Sequence, residues 1–192
     1  MSDPLVLAFD TSAAHCAAAL LSGNRVILSR AEEMGRGQAE RLIPLLEEVL
    51  AETKTTWTDL DAIGVGVGPG NFTGIRISVS AARGLALGLN IPAVGVSTFD
   101  AIALNADALA AVPAPRGMLY VHRGSPALID PETLDEPYAL PPSPADLAVA
   151  IAHCAAQILT SGAAIPAPAP LYVKPADAAP SRDAPPVILD DA

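Results

Sequence analysis

The sequence predicts an α/β fold, a mixed β-sheet flanked by helices, and three observations carry that reading. Leu5 to Phe9 is an unbroken apolar run ending in Asp10-Thr11-Ser12, the pattern of a buried central strand that delivers polar groups at its C-terminal edge. The stretch Gly68-Pro69-Gly70-Asn71-Phe72-Thr73-Gly74-Ile75-Arg76 joins a β-branched, glycine-bounded segment (62–67) to a segment with apolar residues at helical spacing (73–89). From residue 62 onward, strands and helices then alternate, which calls for crossover connections and parallel pairing.

Taken in order, Ala17 to Ser22 and Arg25 to Arg30 read as two strands joined at Gly23-Asn24, a pair suited to a two-residue hairpin turn. Gly35 and Gly37 end this antiparallel meander. Gln38 to Glu52 reads as a helix whose apolar arc is wider than one packing face needs, with Pro44 inside its first turns, where a missing N–H costs least. Trp57 to Leu60 is a turn into the 62–67 strand, and Thr73 to Leu89 is a second helix interleaved with small residues such as Ser78, Ser80 and Gly84. Ala93 to Val96 is a brief strand, and Ser97 or Thr98 caps a further helix expected to run to about Ala110. The order β-β-β-α-β-α-β-α is that of the ribonuclease H-like, actin-like (ASKHA) half-domain.

Beyond Val112 the character changes, because 15 of the 19 prolines lie there and few helix or sheet interiors can hold them. The expected division is therefore an N-terminal subdomain at 1–110, a reduced, Pro-rich second subdomain at 111–178 and an acidic tail at 179–192. Within the second part, 117–122 reads as a strand, Pro144 to Leu159 as a helix and Leu171 to Lys174 as a last strand; 137–144 and 163–170 read as connections.

The formal charge of −10 repels a polyphosphate backbone and excludes free-standing nucleic-acid binding; contact with RNA would need a basic partner. Cys16 and Cys154 sit in alanine-rich surroundings without ligand spacing, as buried free thiols of a reducing compartment do. The Met-Ser-Asp-Pro start has no positive n-region and no apolar run is long enough to span a bilayer, so a cytoplasmic protein without a membrane role is expected. His15, His122 and His153 are scattered, and no metal set is expected. No serine lies in a Gly-x-Ser-x-Gly context and neither cysteine has a base nearby in sequence, which argues against a protease.

A glycine-rich turn into a helix N-terminus can cradle a phosphate or serve only as a tight corner. In the first case Asp10, Thr11, Ser12, Gly68, Gly70, Asn71, Thr73, Gly74 and Arg76 would form a nucleotide or phosphate loop. Arg76, a cation just inside a helix N-terminus, runs against the dipole and calls for a specific partner such as Asp10, a phosphate or a neighbouring chain.

Three blocks carry a family resemblance. Leu7-Ala8-Phe9-Asp10-Thr11-Ser12, Gly66 to Arg76, and Pro170-Leu171-Tyr172-Val173-Lys174-Pro175-Ala176-Asp177-Ala178 resemble the first-strand signature, the most recognisable block and the C-terminal ending of the TsaB family. The resemblance implies a non-catalytic activating partner of a TsaD-like enzyme in the synthesis of N6-threonylcarbamoyladenosine at position 37 of ANN-decoding tRNAs. It implies a heterodimer with that TsaD-like paralogue, a TsaE-like ATPase in the complex and tRNA bound only through the complex; whether the chain alone forms a homodimer is left open by the sequence. No cofactor is required by this chain, and ATP and Mg would enter with the assembled complex. TsaD carries a His-Met-Glu-Gly-His motif where this chain has Thr98-Phe99-Asp100-Ala101-Ile102. A hydroxyl and an aliphatic side chain cannot replace two imidazoles in an iron or zinc shell, so no catalytic or metal residue is expected. Leu42, Leu45, Leu46, Val49, Ile77, Ala81 and Leu85, on the two wide apolar helices, are the candidates for the partner interface. The competing reading is an actin/sugar-kinase-like nucleotide-binding ATPase with Asp10 to Ser12 and the 68–74 loop facing a phosphate and its magnesium. Against it, Asp-Thr-Ser has no internal glycine and no second acidic strand end is present.

Overall fold

The protein's computed structural model describes residues 3–173. Residues 174–178 of the C-terminal block, the end of the strand expected at Leu171 to Lys174, and the tail at 179–192 lie outside the described residues. Three strands open the chain, β1 (Leu5–Asp10), β2 (His15–Ser22) and β3 (Arg25–Glu33), and pair antiparallel as the hairpin signal predicts. Helix α1 (Gln38–Thr53), strand β4 (Ala62–Gly66), helix α2 (Phe72–Leu89) and strand β5 (Ala93–Val96) follow. Both crossovers place their strands parallel, giving a five-stranded sheet in the order β3-β2-β1-β4-β5.

Side-chain alternation along β1 divides the core into two layers. Leu7 and Phe9 point to the face covered by α1 and α2, packing with Leu42, Leu45, Leu46, Val49, Ile75 and Val79. Val6 and Ala8 point to the opposite face, which is covered by a long helix, α4 (Pro144–Thr160). Small residues line that second contact: a Cβ on Gly64 would already sit 3.0 Å from Ala8 Cβ and 3.1 Å from Ala155 Cβ. The alanine repeats of α4 thus bring helix and sheet axes close together, and Leu147 and Ile151 fill what the alanines leave.

Two expectations are corrected here. The helix after Ser97 ends early: α3 spans only Thr98–Ala103, and Leu109–Pro113 is a strand, β6. Its alanine-rich sequence has no strong period of its own, and antiparallel pairing with β7 (Leu119–Arg123) decides its conformation. The boundary placed at 110/111 therefore falls inside β6, and α4, assigned to the second subdomain, packs on the first sheet. The second sheet, order β8-β7-β6-β9, adds β8 (Ser125–Ile129), which the prolines concealed, and a two-residue β9 (Tyr138–Ala139) inside the expected 137–144 connection. Helix α3 packs on it through Phe99 and Ile102 against Val112. No helix among the described residues is long and apolar enough to cross a membrane.

Cys16 and Cys154 are both free and buried. Burial, helped by the negative charge of Glu32 near Cys16 and of Asp100 near Cys154, pushes each thiol up to about 11. Because the folded pKa lies above the usual thiol value, the native state keeps these protons as pH rises past 9, and the advantage this gives the fold is lost towards pH 11. Titration with a chromogenic disulfide at pH 8 should find no thiol reacting in the native protein and both reacting in denaturant; rapid native labelling of either would contradict the burial described.

Candidate functional site

The site is the junction where the C-terminal end of β1 meets the N-terminus of α2. Gly68 adopts a left-handed φ of +94°, redirecting the chain as it leaves β4. Asn71 then caps α2, its Oδ1 accepting from the Gly74 N–H at 2.9 Å. The turn after β1 docks on this loop by two bonds: Asn71 N–H donates to the Ser12 carbonyl at 2.6 Å, and Thr11 Oγ1 donates to the Gly74 carbonyl at 2.7 Å. A Cβ on Gly70 would overlap the Ser12 carbonyl, and one on Gly74 the Thr11 carbonyl. The close backbone approach that these glycines permit is therefore made by the chain itself.

Beneath the loop lies a buried polar cluster. Asp10 is 0% exposed, and its Oδ2 accepts from Ser12 N–H at 3.0 Å, Ser12 Oγ at 2.9 Å and His15 Nε2 at 2.7 Å. Its Oδ1 has no hydrogen-bond partner among the described residues and occupies the space where a side chain on Gly66 would begin. His15 was not among the residues singled out for the site. Its signal is positional: it opens β2 directly across a four-residue turn from the carboxylate that closes β1. Serine, histidine and aspartate are thus gathered in one place, but both Ser12 and His15 bond the carboxylate and no hydrogen bond joins them to each other. Ser12 has no base, and all three are shielded from solvent.

Of the partners expected for Arg76, Asp10 is not the one it meets within the chain. Its guanidinium lies 3.9 Å above the centre of the Phe72 ring, and its Nε donates to Tyr172 Oη at 2.9 Å. Phe72 and Tyr172 stack with ring centres 5.0 Å apart. The tyrosine belongs to a returning segment whose Leu171 N–H donates to the Val67 carbonyl at 2.8 Å and whose Pro168 lies against Gly95. Residues 171 and 172 are thus a strap over the glycine loop, where a strand was expected. A cleft of about 460 Å3 opens on the solvent side of the junction, between Ala13, Arg36, Gln38, Asn71, Thr73 and Ile77; Asp10 and Ser12 do not reach it.

The proposed interface residues divide. Leu42, Leu45, Leu46 and Val49 are at most 1% exposed and form the core between α1 and the sheet, so these four are taken up by the chain's own fold, while Ile43 of the same arc is exposed. Ile77, Ala81 and Leu85 are half-buried along one flank of α2. At Thr98 to Ile102 four of the five residues are buried core, and no cluster of three or more metal-binding side chains occurs among the described residues.

Residues 25–137 match the family described as TsaD, tRNA N6-adenosine threonylcarbamoyltransferase. The tRNA threonylcarbamoyladenosine biosynthesis protein TsaB of Buchnera aphidicola subsp. Schizaphis graminum is 39% identical over 127 residues, 62% of this chain and 60% of that protein. The protein of the same name from Escherichia coli is 37% identical over 122 residues, 60% of this chain and 52% of that one. The chain spans between half and three fifths of the length of these relatives. Among solved structures, YeaZ from Pseudomonas aeruginosa superimposes with a TM-score of 0.70 at 26% identity, covering 88% of this chain and 99% of that one. A second Pseudomonas aeruginosa structure, described as similar to peptidase YeaZ, gives 0.72 at 26% identity over 89% and 100%. Thermus thermophilus RuvC, at 15% identity and a TM-score of 0.51, shares the fold alone.

Gly74→Ala tests the docked turn. The added methyl meets backbone, which cannot swing aside, so the variant should lose about 2–4 kcal/mol in denaturant unfolding; a change below about 0.5 kcal/mol would mean that the two loops are not in contact.

Proposed function

This chain belongs to the TsaD-type family as a TsaB-like member, and from that premise we propose that it is the non-catalytic partner of a TsaD-like enzyme in tRNA threonylcarbamoylation. The observation that carries the pairing is the outer face of α2. Gly84 and Gly88 lie inside this helix with no described residue within 4 Å of where their side chains would be, although each glycine costs a helix about 1 kcal/mol relative to alanine. The packing of the described residues makes no use of their smallness. Leu87, between them, is 85% exposed, and Ser80 and the half-buried Ile77 and Ala81 continue the same flank. A flat stripe of small residues with a protruding leucine suits close approach by a helix of another chain. Charge agrees, since α2 contains Arg76 and Arg83 and no acidic residue in a protein of net charge −10. An acidic or neutral helix face is therefore the favoured partner surface.

The partner residues proposed are accordingly Ile77, Ser80, Ala81, Gly84 and Leu87, in place of the core leucines of α1. The reading assigns this chain no catalytic group. The buried Ser12 without a base and the absence of imidazoles at Thr98 and Ile102 support that assignment. A TsaE-like ATPase, tRNA reached only through the assembly, and a cytoplasmic location complete the proposal.

Gly84→Gln separates an interface from a core role. In the chain alone it should raise stability by several tenths of a kcal/mol, because glutamine is the better helix former and meets open space. Mixed with the TsaD-like protein of the same cell, it should weaken heterodimer formation at least tenfold by light scattering, with a parallel loss of threonylcarbamoylated tRNA. An unchanged heterodimer would remove α2 from the interface, and no heterodimer with the native chain would defeat the proposed function.

A further inference from the structure

Actin-like folds that use a nucleotide require a metal-bound phosphate between the first hairpin turn and a glycine loop, and the residues here can be tested for that fit. The gap is closed: the Ser12 and Thr11 carbonyls lie on Gly70 and Gly74, with the bond from Asn71 N–H at 2.6 Å between them. The carboxylate that would face the metal is fully buried, and Oδ2 is taken by Ser12 and His15. Its free Oδ1 lies in the notch of Gly66, outside the lining of the solvent-side cleft, with no second acidic group beside it among the described residues. A magnesium-bound phosphate does not fit these residues.

We infer that His15 is a built-in substitute for that cation: its Nε2, 2.7 Å from Asp10 Oδ2, supplies the partner the buried carboxylate needs and thereby keeps the 10–12 turn seated on the glycine loop. A buried carboxylate is strongly disfavoured unless its charge is compensated; with the imidazole removed only the Ser12 N–H and Oγ would remain on Oδ2, and Oδ1 would still lack a partner among the described residues, so a cation would be drawn in. The pair bridges the end of β1 and the start of β2 on the sheet face opposite α2, so this inference does not depend on the pairing proposed above.

The test uses the full chain and Mn2+, followed by the loss of the free-ion signal in electron paramagnetic resonance, together with thermal unfolding in Mg-ADP. The native protein should take up no Mn2+ and its unfolding midpoint should not move, whereas a ligand at a hundred times its Kd would raise the midpoint by several degrees. His15→Ala should unfold at a lower temperature, bind Mn2+ and recover part of the lost midpoint when Mn2+ is added. Asp10→Asn combined with His15→Ala should abolish the acquired binding. Uptake of Mn2+ or stabilisation by Mg-ADP in the native chain would overturn the inference, as would a His15→Ala protein whose midpoint is indifferent to Mn2+. Because the midpoint can be followed at low temperature even in a weakened variant, marginal folding of His15→Ala does not obscure the result.

Discussion

The turn at 10–12 seated on the glycine loop is the contact on which the rest of the architecture depends. Through it the central strand β1 is joined to the first turn of α2 by two hydrogen bonds, of which the one from Thr11 Oγ1 to the Gly74 carbonyl runs between groups withdrawn from water. Groups buried in this way must find partners within the protein, since an orphaned carbonyl or hydroxyl there would cost about 1–3 kcal/mol. Gly70 and Gly74 are required because the distances leave no room for a Cβ; Asn71 is required because it caps the helix and donates its backbone N–H to the turn. The direction in which α2 leaves the sheet, and hence the face it turns outward, follows from this docking. On the other side of the same strand Asp10 gathers Ser12 and His15, so a single short segment organises both faces of the sheet end.

Much of the larger sheet was legible in the residues. Alternation, the Gly23-Asn24 turn and helical spacing give β1 to β3, α1, α2 and β5 within a residue or two at most ends, because these are local signals reinforced by burial. The second sheet was less legible. Its strands are short, interrupted by proline and defined by their pairing, so the alanine-rich stretch at 109–113 carries no local preference strong enough to distinguish helix from strand. The placement of α4 was equally hidden, since apolar spacing says that a helix is buried and nothing about which sheet buries it.

At the site, the residues to be gathered were visible and the use made of them was not. The glycines were readable as permitting a close approach, but whether the approaching group is a phosphate or the chain's own carbonyl depends on contacts some sixty residues apart in sequence. Arg76 was recognisable as a residue in need of a partner; its partner Tyr172 lies 96 positions away. The leucines of α1 misled in the opposite sense. An apolar arc wider than one face suggests a second surface, but Leu42, Leu45, Leu46 and Val49 are all core, and only Ala39 and Ile43 at its edge are exposed. Exposure of small residues, as at Gly84 and Gly88, is the more telling sign of a missing neighbour because it cannot be inferred from hydrophobicity.

The strap formed by Leu171 and Tyr172 closes a loop of about a hundred residues with a single backbone bond to Val67, one side-chain bond to Arg76 and a ring stack at the surface. Leu171 also packs against both the main core and the small sheet, and Pro168 lies buried against Gly95, so the strap covers the seam between the two sheets. A segment about a hundred residues downstream of the glycine loop thus joins the two sheets to each other.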